Sequence, residues 1–193
     1  MRGACSRRVL PLITGVMLLV WPFLIWFGLA HNSLHWLLPL MALLLMLRLY
    51  QSRHFSGPMR FVIQGSALAG IILCIASSLL KTHQLLLYWP VVVNGVMLGV
   101  FGGSLWTSMP LVERLARLRE PELPPAGVRY TRRVTQVWCV FFIFNGAIAL
   151  LTILYGNLKV WTLWNGMLAY MLIGILMAGE WLVRRRVIKR ETR

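Results

Sequence analysis

Apolar positions run in six long blocks, at about 10–30, 34–50, 61–80, 85–108, 135–156 and 160–182, with polar or basic connections between them. A hydrocarbon core of about 30 Å takes roughly 20 helical residues, and each block is of that order. None alternates apolar and polar residues as a barrel strand does. Lipid offers no water to backbone groups, so only helices and closed barrels cross it. The pattern therefore predicts an all-α, polytopic helical bundle of six spans, a single integral membrane domain over 1–193. The second block is the shortest and ends in Leu47-Arg48-Leu49-Tyr50, from which Arg48 can reach the headgroups. Pro22 lies inside the first block and predicts a kink. That block is too long for the apolar part of a signal peptide, and no small-residue cleavage site follows it, so it reads as a retained span.

Three Asn-Gly pairs interrupt the pattern, at Asn94-Gly95, Asn145-Gly146 and Asn165-Gly166. Such pairs normally mark hairpin turns, yet turns here would break spans that need their full length. Placed on helices, the three asparagines fall in the outer half or centre of the bundle. An amide in hydrocarbon seeks a partner, and a neighbouring glycine lets another helix approach. The pairs are thus expected to join helices or to line a polar pocket, with Tyr170 nearby. Small residues suggest further close packing at Gly99, Gly102 and Gly103, along Gly65 and Ala69, and at Gly174 and Ala178.

Composition agrees with this picture. The chain is 59% hydrophobic and 13% charged, against a usual charged share of about 25%. Its formal net charge is +15. Nucleic acid is excluded as the partner, because the basic residues cluster between apolar blocks. Of the 20 Lys and Arg, all but Lys81 and Lys159 fall on one side of the alternating connections. The positive-inside rule places that side in the cytoplasm, with both termini there. Membrane phospholipids are the expected counter-charge.

The longest connection, 109–134, reads MPLVERLARLREPELPPAGVRYTRRV. Leu111, Leu115 and Leu118 recur at helical spacing and Glu113–Arg117 is an i,i+4 pair, so a short amphipathic helix is expected along the cytoplasmic face. Pro121 ends it, Glu122-Leu123-Pro124-Pro125-Ala126-Gly127 should be rigid and non-helical, and Arg129, Arg132 and Arg133 should meet the next span, from 135, at the headgroup level. Arg114, Arg129, Arg132, Arg133 and Arg184 are candidate contacts for lipid headgroups or a soluble partner. Glu180 is the one acid near hydrocarbon. An ion pair with Arg184 or Arg133 is its simplest role, and a catalytic one the alternative.

No cofactor or metal site is expected. His31, His35 and His83 share the outer side without a carboxylate, and the three cysteines have no ligand spacing. Phosphate loops, zinc-protease helices and hydrolase elbows are missing.

The stretches RLARLREPELPPAGVRYTRRVTQVWCVFFIFNG and WTLWNGMLAYMLIGILMAGEWLVRRR resemble an uncharacterised family of bacterial six-span inner-membrane proteins. Its members are often encoded beside fatty-acid-like and aryl-polyene synthesis genes. The resemblance implies an accessory inner-membrane protein in the biosynthesis, anchoring or transport of an acyl or aryl-polyene lipid. Lipid-synthesis enzymes or acyl carrier protein would be its partners. A small membrane-embedded acyl or isoprenoid transferase, built on Glu180 with Arg132 and Arg133, and a structural assembly partner without substrate are the alternatives.

Overall fold

The computed structural model describes residues 20–30, 34–53, 57–80, 83–118 and 120–191. The described residues form α1 (Trp21–Ala30), α2 (Leu34–Ser52), α3 (Pro58–Leu79), a 3₁₀ segment (His83–Tyr88), α4 (Trp89–Ser104), α5 (Leu111–Arg117), α6 (Pro125–Leu154), α7 (Leu158–Leu163), a wide π-turn (Trp164–Leu168) and α8 (Ala169–Glu191). Prolines open several of them. Pro58, Pro90 and Pro125 stand in the first turn, where the missing N–H is one the helix leaves unpaired anyway.

Among the described residues four stretches are long and apolar enough to cross a membrane, not six: Arg60–Leu79, Gln84–Ser104, Pro125–Leu154 and Leu158–Arg184. This corrects the expected six-span bundle, and the two remaining blocks differ from each other. Residues 10–19 of the first lie outside the described residues, and the described part is the ten-residue α1. Pro22 is the second residue of that helix, where its missing N–H is tolerated. The second carries Pro39 inside the 19-residue α2, and its apolar stretch among the residues whose side chains are described, Leu38–Ser52, is shorter than the roughly 17–25 residues of a crossing.

A third correction concerns 109–134. The chain becomes helical at Pro125 rather than at 135, so Arg129, Tyr130, Arg132 and Arg133 stand on the first turns of the 30-residue α6. The Pro-Pro step does not hold this region extended. Pro124 is extended (ψ 157°), and Pro125 pre-sets the backbone of the helix that follows.

At the other end of α6, Gly156 takes a left-handed φ of 74° and stops the helix. Asn157 then caps α7, its Oδ1 accepting from the N–H of Lys159 at 2.9 Å and of Val160 at 3.3 Å. Three residues thus turn the chain back on itself and set α7 and α8 antiparallel to α6.

Two apolar clusters hold the bundle. Ile25, Met41, Leu45, Leu86, Trp89 and Trp161 form one, joining α1, α2, α4 and α7. Phe101, Leu111, Cys139 and Phe142 form the other, flanked by Trp138 and Phe141. In the second the Phe101 and Phe142 rings meet edge to face at 5.1 Å. Outside these clusters the long helices present apolar side chains outward, among them Leu68, Ile72 and Ile75 of α3, Val140 and Ile143 of α6, and Met171 and Ile175 of α8. Such a surface would be a liability in water and is the ordinary face of a helix in lipid.

The glycines divide differently from the expectation. A Cβ added at Gly95, Gly99, Gly103 or Gly174 would meet nothing within 4 Å, so these positions are not helix contacts. The close approaches are at Gly65, Gly70, Gly146 and Gly166.

Candidate functional site

The three asparagines converge. Asn94 on α4 and Asn145 on α6 face each other because these two helices pack along most of their length, and Asn145 Nδ2 donates to Asn94 Oδ1 at 3.1 Å. A Cβ added at Gly146 would stand 3.1 Å from Asn94 Cβ, so the glycine is what lets the two backbones come this close. Asn94 Nδ2 donates to the Pro90 carbonyl at 2.7 Å, and Asn145 Oδ1 accepts from the Trp164 indole at 3.1 Å.

Asn165 belongs to the same neighbourhood by way of the π-turn. There Ala169 N–H reaches back five residues to the Trp164 carbonyl. Asn165 Nδ2 donates to the Trp161 carbonyl at 2.9 Å and more weakly to Thr152 Oγ1 at 3.4 Å. Gly166 makes room for α1, since a Cβ there would lie 2.9 Å from the Phe23 ring. All three asparagines and Tyr170 line one cavity of about 160 Å³, together with Pro22, Val93, Met97 and Phe142. Asn94 and Asn145 therefore face each other, and all three asparagines face one cavity.

A double-mutant cycle should detect this coupling. Asn94→Leu and Asn145→Leu together are expected to cost less than the sum of the two alone, with a coupling energy of about 0.5–1.7 kcal/mol. Reversible unfolding in mixed micelles measures it, and strict additivity would mean the 3.1 Å contact contributes nothing.

Below this cavity lies a larger groove of about 980 Å³ between α4, α5, α6 and α8. Its walls are Met97, Phe101, Val112, Leu115, Trp138 and Phe142, and its rim carries Glu120, Glu122, Tyr130, Glu180 and Arg184. Three of the chain's five acidic residues thus meet at one rim. Tyr130 ties α8 to α6 at this rim, its hydroxyl donating to the Glu180 carbonyl oxygen at 3.0 Å. Met97 and Phe142 line both spaces.

The candidate arginines part company. Arg114 donates to the Met109 carbonyl at 2.8 Å and to Thr107 Oγ1 at 3.0 Å, so it braces the turn after α4. Arg132 donates to the Leu105 carbonyl at 3.2 Å. Arg129 and Arg133 are exposed, and Arg184 alone of the five lines the groove. The expected ion pair of Glu180 with Arg133 or Arg184 does not form. Among the described residues the ion pair present is Arg117–Glu113 at 2.8 Å, within α5. Glu113 is itself 2% exposed, which comes of α5 packing flat against α6. The side chains of His31, His35 and His83 lie outside those described, and among the described residues no three His, Cys, Asp or Glu side chains gather as a metal site would need.

Sequence reading missed Trp164, Thr152, Phe23 and Met97 as parts of this region. Trp164 sits beside the Asn165-Gly166 pair in the chain, but only the pairing of α6 with the π-turn brings its indole to Asn145.

These features define the class. The chain is a polytopic, mostly helical, membrane-associated protein with about four long apolar helices among its described residues. Comparison with protein-family models, with curated proteins and with solved structures finds no match in any of the three. The resemblance to a six-span family is corrected on both counts: no family model carries it, and the described residues hold four long apolar helices.

Proposed function

We propose that this is a multi-pass inner-membrane protein that holds the acyl chain of a zwitterionic lipid in the groove and presents its polar end at the cytoplasmic face, as an accessory to lipid synthesis, anchoring or transport. The observation that carries the reading is the groove itself. Its volume of about 980 Å³ is at the upper end of the roughly 300–1,000 Å³ of ligand pockets. Aromatic and aliphatic walls suit a hydrocarbon chain, and a rim of Glu120, Glu122, Glu180 and Arg184 suits a headgroup carrying both an amine and a phosphate. Helix α8 borders the groove and is exposed to lipid along most of its length, which supports entry sideways from the bilayer.

Orientation follows from charge. Arg114, Arg117, Arg129, Arg132, Arg133 and Arg184 gather at the groove end of the bundle, and Lys159 stands at the other. The positive-inside rule puts the groove end and the C-terminal end of α8 in the cytoplasm, and the N-terminus would share that side. Exposed Arg129 and Arg133 are then placed for lipid phosphates and for an acidic carrier protein. A transferase built on Glu180, Arg132 and Arg133 has no such support, since Arg132 is held by the Leu105 carbonyl.

Leu115→Trp on α5 fills the groove from its wall. Native mass spectrometry of the protein extracted in mild detergent should then show about tenfold less retained phospholipid, the change that ~1.4 kcal/mol of lost affinity produces. Lipid retention equal to that of the unaltered protein would sink the reading. In cells, deletion of the gene should alter the envelope lipid profile.

A further inference from the structure

The asparagine cluster spends its hydrogen-bonding capacity unevenly. Asn94 and Asn145 each use both their amide nitrogen and their carbonyl oxygen. Asn165 does not: its residue is 4% exposed, its nitrogen is engaged, and its Oδ1 is buried with no partner. The amide orientation is fixed by its surroundings, because exchanging nitrogen and oxygen would set an acceptor against the Trp161 carbonyl. Asn165 is a wall of the 160 Å³ cavity, whose other walls include the polar Asn94, Asn145 and Tyr170 beside the apolar Val93, Met97, Phe142 and Ile173. The cavity therefore offers an acceptor in need of a donor, in mainly apolar surroundings.

That combination discriminates between ligands. An ionised carboxylate or phosphate diester brings charge and no donor. An ammonium brings a donor, but no acidic residue lines the cavity to compensate its charge away from water. A neutral hydroxyl brings the donor alone. Water is the smallest such group, but its share of about 30 Å³ leaves most of this 160 Å³ space, and its Val93, Met97, Phe142 and Ile173 walls, unfilled. A cavity of about 150 Å³ accepts a benzene-sized molecule, so this one has room for a hydroxyl and about six carbons.

We infer that the cavity binds the hydroxyl-bearing end of an apolar alcohol, aliphatic or isoprenoid, whose O–H donates to Asn165 Oδ1. The site does not depend on the groove being a lipid site, and its test uses a different ligand.

The probe is a photoactivatable octanol bearing a diazirine, compared with its methyl ether, on the protein reconstituted in phospholipid vesicles. Mass spectrometry of the labelled peptides locates the adducts. The alcohol should label α4 around Val93 and α8 around Ile173 roughly three- to tenfold more than the ether, the ratio one neutral hydrogen bond supplies. Asn165→Leu should keep the labelling and erase the preference. Val93→Phe, which fills the cavity without touching Asn165, should remove labelling at Ile173 by both probes. Equal labelling by alcohol and ether in the unaltered protein overturns the inference, as does a preference that survives Asn165→Leu. If that variant does not fold, undiminished labelling of Ile173 in Val93→Phe overturns it equally.

Discussion

Gly70→Leu is expected to abolish the folded protein. Gly70 lies on α3 where α2 and α4 both press against it. A single added Cβ would run into the six-membered ring of Trp89 and lie 2.7 Å from Leu45 Cδ1. Neither neighbour can retreat. Leu45 is 1% exposed and Trp89 7% exposed, and both belong to the cluster that joins α1, α2, α4 and α7. Overpacking a well-filled interior typically costs about 1–3 kcal/mol, and an isobutyl group wedged between three helices belongs at or above the upper end. Gly70→Ala should cost about 1–2 kcal/mol and leave some folded protein. The measurement is the fraction recovered as a monodisperse peak in mild detergent. Gly99→Leu is the control, since nothing lies within 4 Å of its added Cβ. Equal recovery of Gly70→Leu and Gly99→Leu would refute the packing argument.

That contrast also shows what was legible in the sequence. Apolar run length identified the helical membrane class, because the requirement that backbone groups pair inside lipid acts on any long apolar stretch. It overcounted the spans. Run length measures composition alone, and the described apolar stretch of α2 is Leu38–Ser52, with Pro39 inside the helix and the polar Gln51 and Ser52 at its end. The Asn-Gly pairs were legible as helical rather than turn-forming, and their meeting is the main feature of the site. Gly70 was not read as a contact while Gly99, Gly103 and Gly174 were, because a glycine's neighbours depend on helix rotation, which spacing along one helix cannot supply. The same limit hid Trp164. Its bond to Asn145 spans 19 residues and depends on the π-turn, a one-residue change in helical phase with no distinctive sequence signal. The groove escaped notice for a related reason. It is a property of how four helices are placed around one space, not of any motif in one of them.

Trp161→Ala should be the most damaging truncation in the bundle. Trp161 is 1% exposed and is the largest fully buried side chain among the described residues. In lipid the usual gain from removing apolar surface from water does little to hold one helix against another, so dispersion contacts and hydrogen bonds matter more. This side chain supplies both. Its indole is buried in the cluster with Ile25, Met41, Leu86 and Trp89, and its Nε1–H donates to the Leu87 carbonyl at 3.1 Å, fastening α7 to the 3₁₀ segment ahead of α4. Removing a buried Trp costs about 3–5 kcal/mol where the site cannot collapse. Trp161→Phe keeps most of the volume and loses the donor, which leaves the Leu87 carbonyl unpaired and should cost about 1–2 kcal/mol. The Asn165 side chain reports on the same event, because its amide is held by the Trp161 backbone carbonyl. Reversible unfolding in mixed micelles should therefore rank the unaltered protein above Trp161→Phe and Trp161→Ala well below both. If Trp161→Phe proves as damaging as Trp161→Ala, the hydrogen bond to Leu87 outweighs the packing. If neither variant is destabilised, Trp161 is not the clamp between α7 and the rest of the bundle.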